Sequence, residues 1–220
     1  MSTTFGITWD DKSEHKYETG VDRGVLYVHD GSKYGDGVAW NGLTGVTESP
    51  SGAEATAIYA DNKKYLNLVS AEEFGATIEA YTYPEEFAAC DGSASIATGV
   101  TIGQQTRSKF GLCYRTKIGD AEVGDSKGYK IHILYNCLAA PSERGYTTVN
   151  DSPEAITFSW EISTTAENVT GYKPTACLTI DSTKVPAEKL ATLEAALYGS
   201  GDTAPKLLMP DEVATMVGSN

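Results

Sequence analysis

Residues 129–137 alternate with period two. Tyr129, Ile131, Ile133, Tyr135 and Cys137 fall on one side, and Lys130, His132 and Asn136 on the other. That is the pattern of a strand with one packed face and one wet face. Pro141-Ser-Glu-Arg-Gly145 interrupts it with turn residues. A second alternation follows, with Ile156, Phe158, Trp160 and Ile162 facing one way and Thr157, Ser159, Glu161 and Ser163 the other. The first set is expected to be core. The wet faces carry hydroxyls and scattered charges, with no convergent acids, bases or ligands. Such a chain is expected to assemble and not to be an enzyme.

The remaining chain reads as more strands. Residues 25–28, 76–83, 110–117 and 175–180 are strand-like, and 38–46 form a strand region with a turn near Asn41-Gly42. Residues 54–69 read as a hairpin turning at Asp61-Asn-Lys-Lys64. Residues 100–105 read as a further strand, and 119–128 and 164–174 are read as loops. Pro84 followed by Glu85 and Glu86 predicts a short helix near 84–90. The one long helix is predicted over 186–198, with Leu190, Leu193 and Leu197 on one face and Gly199 as its cap. Residues 1–20 and 200–220 read as arms, with 206–209 returning as an edge strand. The fold class is therefore mainly β, in a single domain spanning 1–220; a chain of 220 residues is long enough to bury its own core.

Charge bounds the partners. The net charge is −13, which excludes sequence-independent nucleic-acid binding as the main function. No apolar run is long enough for a membrane helix, and the start has neither the basic nor the apolar region of a secretory signal. The four cysteines, Cys90, Cys113, Cys137 and Cys177, are too far apart for a paired metal site and are expected to be reduced thiols.

Individual motifs fail on context. Gly124-Asp-Ser-Lys-Gly128 has the letters of a nucleophile elbow, which needs a strand before the serine and a helix after it. A glycine-rich turn is expected there instead. His15, His29 and His132 share no ligand spacing. Asp120, Glu122 and Asp125 lack the central Gly and terminal Glu of a calcium loop. Gly99 to Gly103 is not followed by Lys-Ser/Thr, and Asn168-Val-Thr170 is a sequon in letters only. No cofactor or metal is expected.

Several strings carry a resemblance. Phe110-Gly-Leu-Cys-Tyr-Arg-Thr-Lys-Ile-Gly119, Gly128-Tyr-Lys-Ile-His132 and Asn150-Asp-Ser-Pro-Glu-Ala-Ile-Thr-Phe-Ser-Trp160 are similar to the major tail tube proteins of long-tailed, non-contractile bacteriophages. So are Gly37-Val-Ala-Trp-Asn-Gly-Leu-Thr44, Tyr59-Ala-Asp-Asn-Lys-Lys-Tyr65, Ala80-Tyr-Thr-Tyr-Pro-Glu-Glu-Phe87, Ile180-Asp-Ser-Thr183, Leu193-Glu-Ala-Ala-Leu-Tyr-Gly199 and Leu208-Met-Pro-Asp-Glu-Val213. The resemblance implies a β-sandwich or partial barrel flanked by a helix. It implies hexameric rings stacked into a tube, built on a tail-tip initiator around a tape measure protein, closed by terminator proteins and crossed by DNA without specific binding. It also implies assembly in the host cytoplasm, a place in the virion tail and no membrane. On this chain the projecting hairpin would be residues 54–69, with Asp61, Asn62, Lys63, Lys64 and Tyr65 at its tip. The alternatives are the inner tube of a contractile tail or secretion machine, and a carbohydrate-binding β-sandwich module.

Overall fold

The computed structural model of the chain describes residues 7, 9–149, 151–152 and 154–218. After a single 3-10 turn (Lys12–Glu14), the chain runs through β1 (Lys16–Val28), β2 (Val38–Trp40), β3 (Leu43–Glu48), β4 (Ser51–Gly52), β5 (Ala55–Ala60), β6 (Lys63–Val69), β7 (Glu72–Glu73) and β8 (Gly75–Ala80). A second 3-10 turn (Glu85–Phe87) leads into α1 (Ala88–Asp91). Then come β9 (Ala94–Ala97), β10 (Val100–Ile102), β11 (Phe110–Asp120), β12 (Gly124–Ala139), β13 (Phe158–Ser163), β14 (Cys177–Asp181), α2 (Ala187–Tyr198) and α3 (Pro210–Gly218). The fold is mainly β, built on a large antiparallel sheet that does not close into a barrel.

The sheet runs in the order β2-β1-β11-β12-β13-β8-β3, with β14 also pairing β12. The long β12 joins two leaves. Its segment from Lys130 to Leu134 pairs with β14, and its last residues, Leu138 and Ala139, pair with β13. The leaves face each other across Leu26, Trp40, Ile78, Phe87, Phe110, Leu112, Leu134, Trp160 and Ile162. The opposite face of the β1-β11-β12 leaf packs on α2, α3 and the segment before α3 through Tyr27, Cys113, Ile133, Tyr135, Leu193, Leu197, Leu207 and Leu208. Two tyrosine hydroxyls tie that layer down: Tyr27 donates to the Leu197 carbonyl at 2.6 Å and Tyr135 to the Leu208 carbonyl at 2.9 Å.

Covering this leaf on both faces changes the reading of β12. Its second face is not simply wet, because Leu134 is buried between the leaves. Nor does Cys137 share a face with Ile131, Ile133 and Tyr135. Asn136 takes φ +47, and the register moves from Leu112↔Leu134 to Phe110↔Cys137, so one extra residue bulges out. That half-step rotates Cys137 into the core between the leaves. Double coverage also explains Gly111: a Cβ there would run into the Leu207 side chain.

Other expectations move. Residues 119–128 are no long loop, since β11 runs to Asp120 and β12 starts at Gly124. The Asp120 carboxylate accepts the backbone N–H groups of Glu122 and Val123, both at 2.9 Å, and so folds the turn itself. Gly124-Asp-Ser-Lys-Gly128 therefore lies within a strand, not in a glycine-rich turn. The stretch read as an arm over 1–20 already holds the start of β1, with Lys16 opposite Asp120. The turn expected near Asn41-Gly42 is present, with Gly42 at φ +78, but the strands it joins do not pair: β2 pairs with β1 and β3 with β8, so the chain there passes from one leaf to the other. The stretch read as an arm over 200–220 holds α3, and 206–209 is no strand. Pro210 opens that helix, and Glu212 accepts the Met209 backbone N–H at 2.9 Å.

Candidate assembly surface

Beyond the sandwich, β3 and β8 continue outward as a two-stranded ribbon. The Ser49 N–H donates to the Gly75 carbonyl at 2.8 Å, then β4 pairs with β7 and β5 with β6. At about 3.3 Å per residue, the stretch from Ser49 to the tip extends at most about 40 Å. Asp61 and Asn62 both take positive φ, +51 and +63, the two-residue turn whose twist matches a hairpin. Gly52 bends the ribbon near its base, with φ +82 and no room for a Cβ against the Ala71 carbonyl oxygen.

The tip residues named from the sequence are all present on this ribbon and all exposed. Lys63 and Lys64 start β6 opposite Ala60 and Tyr59, and Tyr65 is 71% exposed. What the sequence reading missed is the apolar content of the shaft. Ile58, Tyr59 (69% exposed), Leu66, Leu68 and Val69 also face solvent. Among the described residues β5 and β6 pair only with each other, and all of their residues except Ala57 are exposed, so neither face of the hairpin is covered by the body. The legible signal was Tyr65-Leu-Asn-Leu-Val69, apolar on both parities where a half-buried strand would alternate. A contiguous exposed apolar surface of this kind marks a contact site.

The residues expected as core divide. Trp160 (1% exposed) and Ile162 are buried, and Phe158 is half-buried. Ile156 is not core: it is 36% exposed and precedes β13, whose pairing with β8 starts at Phe158. Trp160 sits in an aromatic cluster, with ring centroids 5.0 Å from Phe87, 5.3 Å from Tyr83 and 5.8 Å from Trp40. The body also presents unpaired strand edges among the described residues. β2 pairs only with β1, β3 only with β8, β14 only with β12, and β1 from Lys16 to Asp22 only with β11.

Titratable groups form ion pairs and hydrogen-bonded networks more than reactive clusters. An open cleft of about 370 Å³ is lined by Arg115, Lys117, Lys127 and Tyr129. Its cations are taken up by Asp22, Asp125 and Asp120 respectively. The Lys127 bond and the turn amides hold the Asp120 carboxyl down at about 2. His132 is no wet-face residue. It stacks on buried Tyr114 with centroids 4.8 Å apart, and its Nε2 lies 2.9 Å from the Thr116 hydroxyl. Burial pushes its imidazole below the ordinary value, against the pull of Glu48 and Glu18. Tyr114 donates to Glu48 of β3 at 2.6 Å, which links the two leaves. Cys90, Cys113, Cys137 and Cys177 are free, and burial pushes the Cys90 and Cys113 thiols up to about 12. Among the described residues, no group of three or more His, Cys, Asp or Glu is placed to hold a metal ion, and no helix is long and apolar enough to cross a membrane.

No family model matches the chain, and no curated protein matches it. Among solved structures it is similar to a chain of the cryo-EM structure of the anti-feeding prophage baseplate, 6-fold symmetrised. That likeness covers 79% of this chain and 97% of the other, at 8% identity and a TM-score of 0.35. It is too distant to carry an argument about function.

Proposed function

We propose that the chain is a structural subunit of a phage tail, whose copies close into hexameric rings that stack into the tube conducting DNA toward the host. The observation that supports this most is the ribbon of residues 49–73, whose β5–β6 hairpin exposes Ile58, Tyr59, Tyr65, Leu66, Leu68 and Val69 and, among the described residues, pairs with no strand of the body. The sequence strings similar to major tail tube proteins point the same way. In this reading the ribbon lies on a subunit of the adjacent ring, Lys63 and Lys64 meet the acidic surface of a chain of net charge −13, and unpaired leaf edges join side by side within a ring. The same acidity keeps DNA from adhering to the bore. A tape measure protein and tail-tip and terminator proteins are the implied partners, and the virion tail the implied location.

Electron microscopy of concentrated protein tests this. Tubes or six-fold rings are expected, and dispersed particles with sugar affinity would replace the reading by a carbohydrate-binding module. The double variant Lys63→Glu/Lys64→Glu should leave thermal unfolding unchanged and reduce tube length and yield; tubes of wild-type length would refute the placement of the ribbon. The inner tube of a contractile machine shares this architecture and differs in a prediction: its tubes recruit a sheath.

A further inference from the structure

A second projection carries a different signature. After α1 the chain forms a small hairpin, β9 with β10, turning at Thr98-Gly99. Its legs are clamped to the body: the Gln105 N–H donates to the Gly92 carbonyl at 2.9 Å, the Ser108 N–H to the Ala89 carbonyl at 2.9 Å, and Arg107 reaches the Ala139 carbonyl at 3.2 Å. Among the described residues β9 and β10 pair only with each other, so both outer edges offer backbone groups that no other described strand takes up. Ile96 is 64% exposed, and Val100 and Ile102 are exposed beside it.

Charge sets this hairpin apart. Residues 92–106 form the longest stretch of the sequence without Asp, Glu, Lys or Arg. Exposed strand edges are ordinarily guarded by charge or proline. The β4–β7 pair has Glu72 and Glu73, the β5–β6 pair Lys63 and Lys64, and the open edge of β1 has Lys16 and Glu18. The β9–β10 hairpin has no such guard. A basic partner would be drawn to the acidic faces of a chain of net charge −13 and would gain nothing from a neutral strip. Another acidic chain is repelled by those faces and approaches most easily where charge is missing. A second copy of this chain is the acidic partner always at hand.

We propose that the β9–β10 hairpin is a copy-to-copy contact, which adds its uncharged edge to a strand of a neighbouring subunit, separately from the 49–73 ribbon. The contact is small and gains strength from repetition around a closed assembly. This inference rests on self-assembly of the chain but not on the tube geometry, and the test separates the two.

Hydrogen exchange is measured on the full-length chain at dilute and concentrated conditions, alongside electron microscopy and sedimentation velocity. Amides of residues 94–102 should gain protection with concentration. Ile96→Asp/Val100→Asp should raise the concentration for half-assembly at least about tenfold, equivalent to about 1.4 kcal/mol, while circular dichroism and the melting temperature stay at wild-type values. Val100→Thr, uncharged and of similar shape, should assemble like wild type. Compact oligomers with a protected hairpin but no tubes would uphold this contact and remove the tube. Tubes with an unprotected hairpin, or tubes from the Asp variant at wild-type concentration, would overturn the contact and leave the tube standing. A chain that stays monomeric at every concentration overturns both.

Discussion

Trp160 gives the sharpest measure of the core between the leaves. Its indole is enclosed by Trp40, Tyr83, Phe87 and Phe158. An aromatic side chain of this size buries about 200 Å², and at about 25 cal/mol per Å² that is about 5 kcal/mol of transfer free energy. The unfolded chain already shields part of this surface, which lowers the figure to about 3.5 kcal/mol. The cavity left by Trp160→Ala adds to the loss, which brings the expected cost to about 4 kcal/mol. With a urea slope of about 2.5 kcal/mol per M, the midpoint should fall by about 1.6 M. Far-ultraviolet circular dichroism should follow the transition, because the substitution removes a fluorophore. Ile156→Ala is the paired control. At 36% exposure it should cost about 1 kcal/mol, a midpoint shift of about 0.4 M. A Trp160→Ala shift below about 0.4 M would refute the enclosure of Trp160, and an Ile156→Ala shift near about 1.6 M would refute the exclusion of Ile156 from the core.

Three further outcomes are expected. Arg144→Ala removes the ion-pair partner of buried Asp91, whose other carboxylate oxygen has no bond; it should cost about 3 kcal/mol in urea unfolding, and adding Asp91→Ala should recover part of that. Gly52→Ala forces a Cβ into the Ala71 carbonyl at positive φ; hydrogen exchange should speed up over residues 53–71 while global stability changes by less than about 0.5 kcal/mol. The His132 pKa is lowered in the folded chain, chiefly by burial, so below its unfolded value of about 6.5 the unfolded chain binds the proton more readily and stability falls with falling pH until the lowered folded value is passed. Unfolding free energies across pH 7 to 5 should show that slope, and His132→Gln should flatten it, with Glu48, Glu18 and Lys130 left as the charges facing the site.

Strand alternation was legible because each strand carries its own period, and α2 because Leu190, Leu193 and Leu197 recur at helical spacing. What the sequence hid were features that depend on a second element. Nothing within residues 129–137 announces that helices cover one face and a second leaf the other, so Leu134 and the bulge at Asn136 were invisible. α3 had a readable signal, Pro210 followed by Asp211 and Glu212 with Val213, Met216 and Val217 at helical spacing, but the preceding Leu207 and Leu208 resemble a strand. Ile156 continued a period whose strand starts only at Phe158. The ribbon position was readable from its turn residues. Its uncovered shaft was not, since exposure is a property of what fails to pack nearby.

That failure to pack sets how folding and assembly divide the chain. A two-stranded hairpin alone is marginal in water, and the 55–69 hairpin receives no cover from either leaf. In the body, β8, β11, β12 and β13 have a paired strand on each side and enclose the core between the leaves, so substitutions in that core act on unfolding. Substitutions on the ribbon act on a segment whose neighbours must come from another molecule, so they act on association. The two classes should therefore separate cleanly: Trp160→Ala moves the urea midpoint of the dilute protein, and Lys63→Glu/Lys64→Glu moves only what the concentrated protein builds. If the ribbon variant lowered the urea midpoint of dilute protein as much as Trp160→Ala does, the ribbon would be packed within its own subunit, and the division would be wrong.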